Sequence, residues 1–285
     1  MTPALETLRL GRRYGRNWAL QDCSLTIAPG HVTALVGPNG AGKTTLLHLV
    51  TGFLTPTTGV VRTLARVGFV AQGQPLYRSF TVEDTLVMGR RLNRTWDDER
   101  ARKRLHGLGI PLSRPVGRLS GGQQAQVALA LALGRRPELL LLDEPLASLD
   151  PLARHEFLRT LMESVAEEGL SVVLSSHDIA DLARVCDHVV ILSASRVLLG
   201  GDLADVLRTH KRLTGPRREN GRIANVERVI EARHAERQST LLARVGGPIL
   251  DPAWQVEDVS LEGLVLAYLA LPSTALIAQR VEVLP

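Results

Sequence analysis

Residues 32–50 read VTALVGPNGAGKTTLLHLV. Val32 to Val36 is a short β-rich run that stops at a glycine, and Thr44 to Val50 carries a helix-compatible pattern, so the stretch predicts strand, loop, helix. Between strand and helix lie Gly37, Pro38, Asn39, Gly40, Ala41 and Gly42. The three glycines let backbone amides wrap an anion closely, since each accepts backbone angles barred to other residues and offers no side chain in the way. Lys43 follows as a point charge for β and γ phosphates, Thr44 as a hydroxyl for Mg²⁺, and Thr45 as support on the α-phosphate side. Lysine otherwise occurs only at 103 and 211, in a chain whose basic residues are overwhelmingly arginine. A chain that avoids lysine has kept one in this loop.

Outward from the loop, buried-strand runs recur at Val67 to Ala71, Leu139 to Leu142, Val172 to Ser175 and Val189 to Leu192. Helical patterns separate them, among them Leu152 to Glu168, stopped by Gly169. Strands alternating with helices predict an α/β fold with a mostly parallel sheet. Strand signals vanish between Gln72 and Arg136, which predicts an inserted helical subdomain over about 76–136, its first helix capped by Thr81 through Asp84. Residues 1–209 form one expected domain. The Gly, Pro and charge of KRLTGPRRENGR mark an expected linker at 210–222. A small C-terminal accessory module is expected over 223–285, with two strands in Val226 to Val245 joined near His234 to Arg237, and a helix from Val256 to Ala270.

Asp143 and Glu144 end an apolar run and are expected at the carboxyl end of a buried strand, the edge where open α/β sheets bind ligands. Leu119, Ser120, Gly121, Gly122 and Gln123 spell LSGGQ about two dozen residues earlier. A chance LSGGQ in a chain of this length is roughly a one-in-thousands event at average residue usage. With the glycine-rich loop upstream and the carboxylate pair downstream, the chain resembles the ATP-binding cassette (ABC) ATPases over about residues 1–205.

That resemblance implies a P-loop NTPase of the ABC type with an additional antiparallel β subdomain, binding and hydrolysing ATP with Mg²⁺. It implies that Asp143, with Thr44 and Gln72, organises Mg²⁺, that Glu144 polarises the attacking water, and that His177 contacts the γ-phosphate. Gln74 lies close enough to Gln72 to compete for its register. Tyr14 matches the aromatic that stacks on adenine, with Trp18 a competitor, and Ser148, Leu149 and Asp150 match the loop that crosses to a second protomer. The signature, Leu119 to Gln123, contacts the γ-phosphate held by the Lys43 of a second ATPase subunit, so the resemblance implies a dimer, expected to be a homodimer. Gln124, Gln126 and Leu131 stand where many relatives carry arginine.

No apolar run reaches the roughly 18 residues that span a bilayer, and MTPALETLRL lacks the pattern of a secretion signal. The resemblance then implies a cytoplasmic subunit, peripheral on the inner face of the cell membrane, serving a separate transmembrane permease. The net charge of +5 comes from arginines spread along the chain, so no nucleic-acid partner is expected. A non-transport ABC ATPase of translation or DNA repair is the alternative, and those usually carry two cassettes or a long coiled coil. QGQPLYRSFTVEDTLVMG, DEPLASLDPLAR and WQVEDVSLEGLVLAYL resemble ATPases of ABC-2 type, multidrug-exporter-like systems, which implies export. Cys23 and Cys186 lack metal-ligand spacing and are expected as reduced, buried thiols.

Overall fold

Three strands of the computed structural model have every residue buried: VTALV at 32–36, LLLLD at 139–143 and SVVLSS at 171–176. A strand covered on both faces belongs in the middle of a parallel sheet with layers above and below. The structure describes residues 2–63, 66–217 and 223–271. It opens with β1 (Leu5–Tyr14), β2 (Asn17–Ile27), β3 (Val32–Val36), α1 (Lys43–Val50), β4 (Thr58–Thr63) and β5 (Val67–Val70). There follow α2 (Val82–Leu92), α3 (Asp98–Gly107), α4 (Gly121–Gly134), β6 (Leu139–Asp143), α5 (Pro151–Glu168), β7 (Ser171–Ser176) and α6 (Ile179–Leu182). The chain continues through β8 (His188–Ser193), β9 (Arg196–Asp202), α7 (Leu203–Thr209), β10 (His210–Pro216), β11 (Val226–His234), β12 (Gln238–Val245), β13 (Gln255–Asp258) and α8 (Leu261–Leu269).

The main sheet has the order β5-β6-β7-β3-β8-β9, parallel except for β9, which returns antiparallel beside β8. A second sheet, β2-β1-β4, is antiparallel. One core joins the main sheet to this second sheet and α1 through Leu10, Leu20, Leu35, Leu47 and Leu141. The opposite face of the main sheet packs on α4 and α5 through Leu129, Leu133, Leu140, Phe157 and Leu161. The elements between β5 and β6 are all helical and hold their own core of Val82, Leu86, Leu105, Val116 and Val127. Thr81 caps α2 in a capping box with Asp84, and Gly169 ends α5 at φ +62°. Both are the sequence's own stop and start signals. Cys23 and Cys186 are free and buried, and burial pushes each thiol up to about 12.

The C-terminal region departs from expectation. Residues 210–216, read as linker, form β10, an interior strand of the antiparallel sheet β11-β12-β10-β13. Leu213 lies fully buried there, while Gly215 and Pro216, which gave the linker signal, end the strand. Residues 218–222 of that expected linker lie outside the described residues. The helix expected from Val256 is a short strand, β13, followed by α8, because Ser260 caps the helix by accepting from the Gly263 N–H at 3.1 Å. Nor does this region stand apart. Ile230, Leu242, Val259, Leu261, Leu264, Val265 and Tyr268 lie in the same core as Leu140, Leu174, Val189 and Ile191 of the main sheet. Among the described residues no helix is long and apolar enough to cross a membrane.

Candidate active site

The loop between β3 and α1 sits where three parallel strands end, so β3, β6 and β7 deliver their last residues to one place. Gly42, the residue before α1, has φ +107°, and a Cβ there would strike the carbonyl oxygen of Ala19. A Cβ on Gly37 would collide with the carbonyl oxygen of Leu192. Close approach of neighbouring backbone, as well as the loop's own curvature, therefore demands glycine at both positions. A cavity of about 730 Å³ opens over the loop, lined by Ala19, residues 38–45, Gln72, Glu144 and His177.

Lys43 is buried and its Nζ donates to the carbonyl of Gly37 at 2.7 Å and lies 3.3 Å from Glu144 Oε1. The other oxygen, Glu144 Oε2, accepts from His177 Nδ1 at 2.8 Å. That bond leaves the Nε2 of His177, which is largely exposed, as the ring nitrogen available to a ligand. Glu144 adopts φ +49°, a left-handed conformation that costs a non-glycine residue about 1 to 3 kcal/mol and turns the carboxylate back over the loop. Ser175 holds this turn: its hydroxyl donates to Asp143 Oδ1 at 2.8 Å and accepts from the Glu144 N–H at 2.9 Å. No sequence signal separates Ser175 from its serine neighbour, and only the register of β7 against β6 sets it beside the pair.

The expected residues divide into those gathered at the cavity and those elsewhere. Pro38 to Thr45, Gln72, Glu144 and His177 line it. Asp143 is buried beneath it, and Gln74 turns away to donate to the Pro145 carbonyl at 3.2 Å, so that of the two glutamines Gln72 is the one that lines the cavity. Tyr14, half-exposed at the β1–β2 hairpin with the Arg12 guanidinium 4.8 Å over its ring, does not line the cavity, and neither does Trp18.

Residues 119–123 lie away from the cavity. Ser120 and Gln123 form a reciprocal capping box at the start of α4, each side chain accepting from the other's N–H at 3.2 Å, a pattern legible in the S-x-x-Q spacing. A Cβ on Gly122 would meet that of Ala153 at 2.7 Å, so this glycine lets α4 approach α5. Leu149 is buried, and Asp150 caps α5 by accepting from the N–H groups of Leu152 and Ala153. Gln124 donates to the Leu119 carbonyl at 3.0 Å and Gln126 to the Thr160 hydroxyl at 3.4 Å. Leu131 packs in the core of the helical segment. These three positions thus make internal contacts.

A glycine loop opening a helix at the carboxyl edge of a parallel sheet, with a lysine, a threonine and a strand-end carboxylate pair around it, defines a P-loop nucleotide hydrolase. The model of the ABC transporter family matches residues 20–147. The nickel import ATP-binding protein NikO of Rhodobacter capsulatus is 39% identical over 73% of this chain and 92% of its own length. The lantibiotic transport ATP-binding protein SrtF of Streptococcus pyogenes is 31% identical over 68% of this chain and 89% of its own. A solved dimeric bacterial ABC transporter cassette superposes with a TM-score of 0.62 at 26% identity, over 70% of this chain and 98% of that one. The chain belongs to the ABC transporter family as an ATP-binding subunit, and it is an ATPase that uses ATP with Mg²⁺. The oxygen donors at the cavity, the Thr44 hydroxyl and the Gln72 amide with the Asp143 carboxylate beneath, suit a hard divalent cation.

Proposed function

We propose that two copies of this chain close around ATP and drive a separate permease in the direction of export, from the cytoplasmic face of the membrane. The observation that carries the dimer is the separation, within one chain, of the Lys43, Glu144 and His177 cluster from the exposed Ser120 and Gly121 at the tip of α4. Neither region completes a phosphate site alone. Signature hydroxyl and amides from one copy would meet the phosphates held by Lys43 of the other, with Ser148, Leu149 and Asp150 at the seam.

In this reading Lys43 exchanges its contact with Glu144 for the β and γ phosphates, which frees the carboxylate to take a proton from the attacking water. Thr44, Gln72 and Asp143 hold Mg²⁺, which neutralises phosphate charge when bound. His177 keeps its Nδ1 on Glu144 and offers Nε2 to the γ-phosphate. Thr45 supports the α-phosphate side, and Tyr14 stacks on adenine at the hairpin, outside the phosphate cavity.

An apolar groove of about 340 Å³ supports permease docking. Phe53, Phe69, Met88, Leu92, Trp96 and Leu131 line it, with Phe53 and Leu92 strongly exposed. It lies between the strand that leads to Gln72 and the face of α2, so nucleotide contact at Gln72 can be converted into movement of a bound helix. Export follows from the likeness of residues 72–89, 143–154 and 254–269 to ABC-2 type ATPases, whereas the relative NikO is named for import.

The dimer is tested with Glu144→Gln, which should bind ATP, lose roughly two or more orders of magnitude in turnover and accumulate the ATP-bound dimer by light scattering. A Glu144→Gln protein that stays monomeric in saturating ATP rejects the composite site. Direction is tested in inside-out vesicles carrying the permease from the adjacent reading frame and loaded against a panel of hydrophobic fluorescent dyes. ATP-dependent accumulation is the export result, while ATPase activity that needs an external binding protein identifies an importer.

A further inference from the structure

We infer that α8 is a positioning element for the histidine switch: by packing on α6 it sets where His177 stands relative to Glu144, and so governs turnover without touching nucleotide. The inference rests on the proposed role of His177. His177 is followed at once by Asp178, which caps α6 by accepting from the Ala180 N–H at 3.2 Å. The helix it starts has four residues, Ile179–Leu182. A single turn has too little internal hydrogen bonding to hold itself, so its place is decided by what grips it.

Two grips are visible. On the polar side Arg154 of α5 donates to Asp178 at 2.7 Å and to Asp181 at 3.3 Å. On the apolar side Ile179 and the fully buried Leu182 share a core with Leu261, Leu264, Val265 and Tyr268 of α8, which also packs on β8. A displacement of α8 across the sheet therefore moves α6 against a fixed α5. His177, one residue from the cap, is bound to Glu144 by a single hydrogen bond of 2.8 Å, which a shift of that kind breaks.

The position of α8 is held in turn by His210, the first residue of β10. Tyr268 donates its hydroxyl to His210 Nε2 at 2.9 Å, and His210 Nδ1 donates to the Val206 carbonyl at 2.7 Å. A continuous set of contacts thus runs from α7 and β10 through Tyr268 and α8 to α6 and the switch. The region outside the nucleotide site acquires a route to the chemistry that involves no contact with ATP.

The test is a double-mutant cycle on the full chain, with kcat and KM for ATP from steady-state hydrolysis and nucleotide affinity from calorimetry. Leu264→Ala should lower kcat by about tenfold to a hundredfold, the scale of an ångström-sized misplacement, with ATP affinity unchanged. The same change in a His177→Ala protein should lower kcat no further, and Leu264→Val should recover most of the loss. Leu213→Ala, equally buried but in the separate small core of the C-terminal sheet, should keep the wild-type kcat. Wild-type kcat in a folded Leu264→Ala protein, additive losses in the cycle, or an equal loss in Leu213→Ala overturns the inference. Should Leu264→Ala fail to fold, Leu261→Ala, in the same core, takes its place in the cycle. His177→Ala with wild-type turnover rejects the role of the histidine itself, which is a different failure from additivity in an impaired His177→Ala background.

Discussion

Tyr268→Phe removes one oxygen atom from the contact that seats α8. In the folded chain that hydroxyl is buried and bonded to His210 Nε2, and burial pushes it up to about 12, so it serves as a donor across the working pH range. His210 is fully buried and already spends its Nδ1 proton on Val206, so Nε2 can only accept, and Phe leaves that acceptor without a partner. An unsatisfied buried acceptor costs about 1 to 3 kcal/mol. For a chain of this size that corresponds to a fall in Tm of about 2 to 12 °C. Burial also holds the His210 imidazole below its ordinary value of 6.5. The folded state therefore keeps His210 neutral at a pH where the unfolded chain has taken up a proton. Its contribution to stability is whole above pH 6.5 and is lost progressively below it, at up to about 1.4 kcal/mol per pH unit. Urea titrations from pH 8 to pH 5 check both parts. Tyr268→Phe should lower the midpoint at every pH, and His210→Gln should flatten the acid slope. A Tyr268→Phe midpoint equal to wild type, or an acid slope unchanged in His210→Gln, refutes the buried pair as the clamp.

Lys43→Ala should abolish Mg-ATP binding by calorimetry while circular dichroism stays native, since Lys43 makes its contacts within the loop and to Glu144 rather than to the core. Truncation after Thr209 should yield insoluble or proteolysed chain, because it uncovers Leu182, Cys186 and Val206, which share a core with α8; a soluble truncation with native ATP affinity would show the C-terminal region to be separable. Leu92→Arg should weaken co-purification with the membrane partner at unchanged ATP affinity. Glu83→Arg should instead lower stability by up to about 1 kcal/mol, because the partly exposed Glu83 makes a bidentate pair with Arg102 of α3 at 2.6 Å, and Arg102 holds its carboxyl below the usual range.

What local chemistry imposes was readable residue by residue. The loop glycines, the apolar runs of β3, β6, β7 and β8, the Thr81 cap and the Gly169 stop each act within a few positions of their own place in the chain. The same locality explains the misreadings at 210–216, where glycine, proline and charge suggested a linker, and at 256–258, read as the start of a helix. Pairing with strands more than twenty residues away made strands of both. Ser175 was invisible for a related reason: it bonds Asp143 and Glu144 only because β7 lies beside β6 in that register. The sequence by itself determined the nucleotide loop, the parallel sheet and the motifs of an ABC ATPase. Tertiary structure alone decided that the signature stands away from the cavity of its own chain, and that α8 shares a core with the helix following His177. Such proximities depend on which side chains interdigitate across long loops, and no short window of sequence encodes that distance.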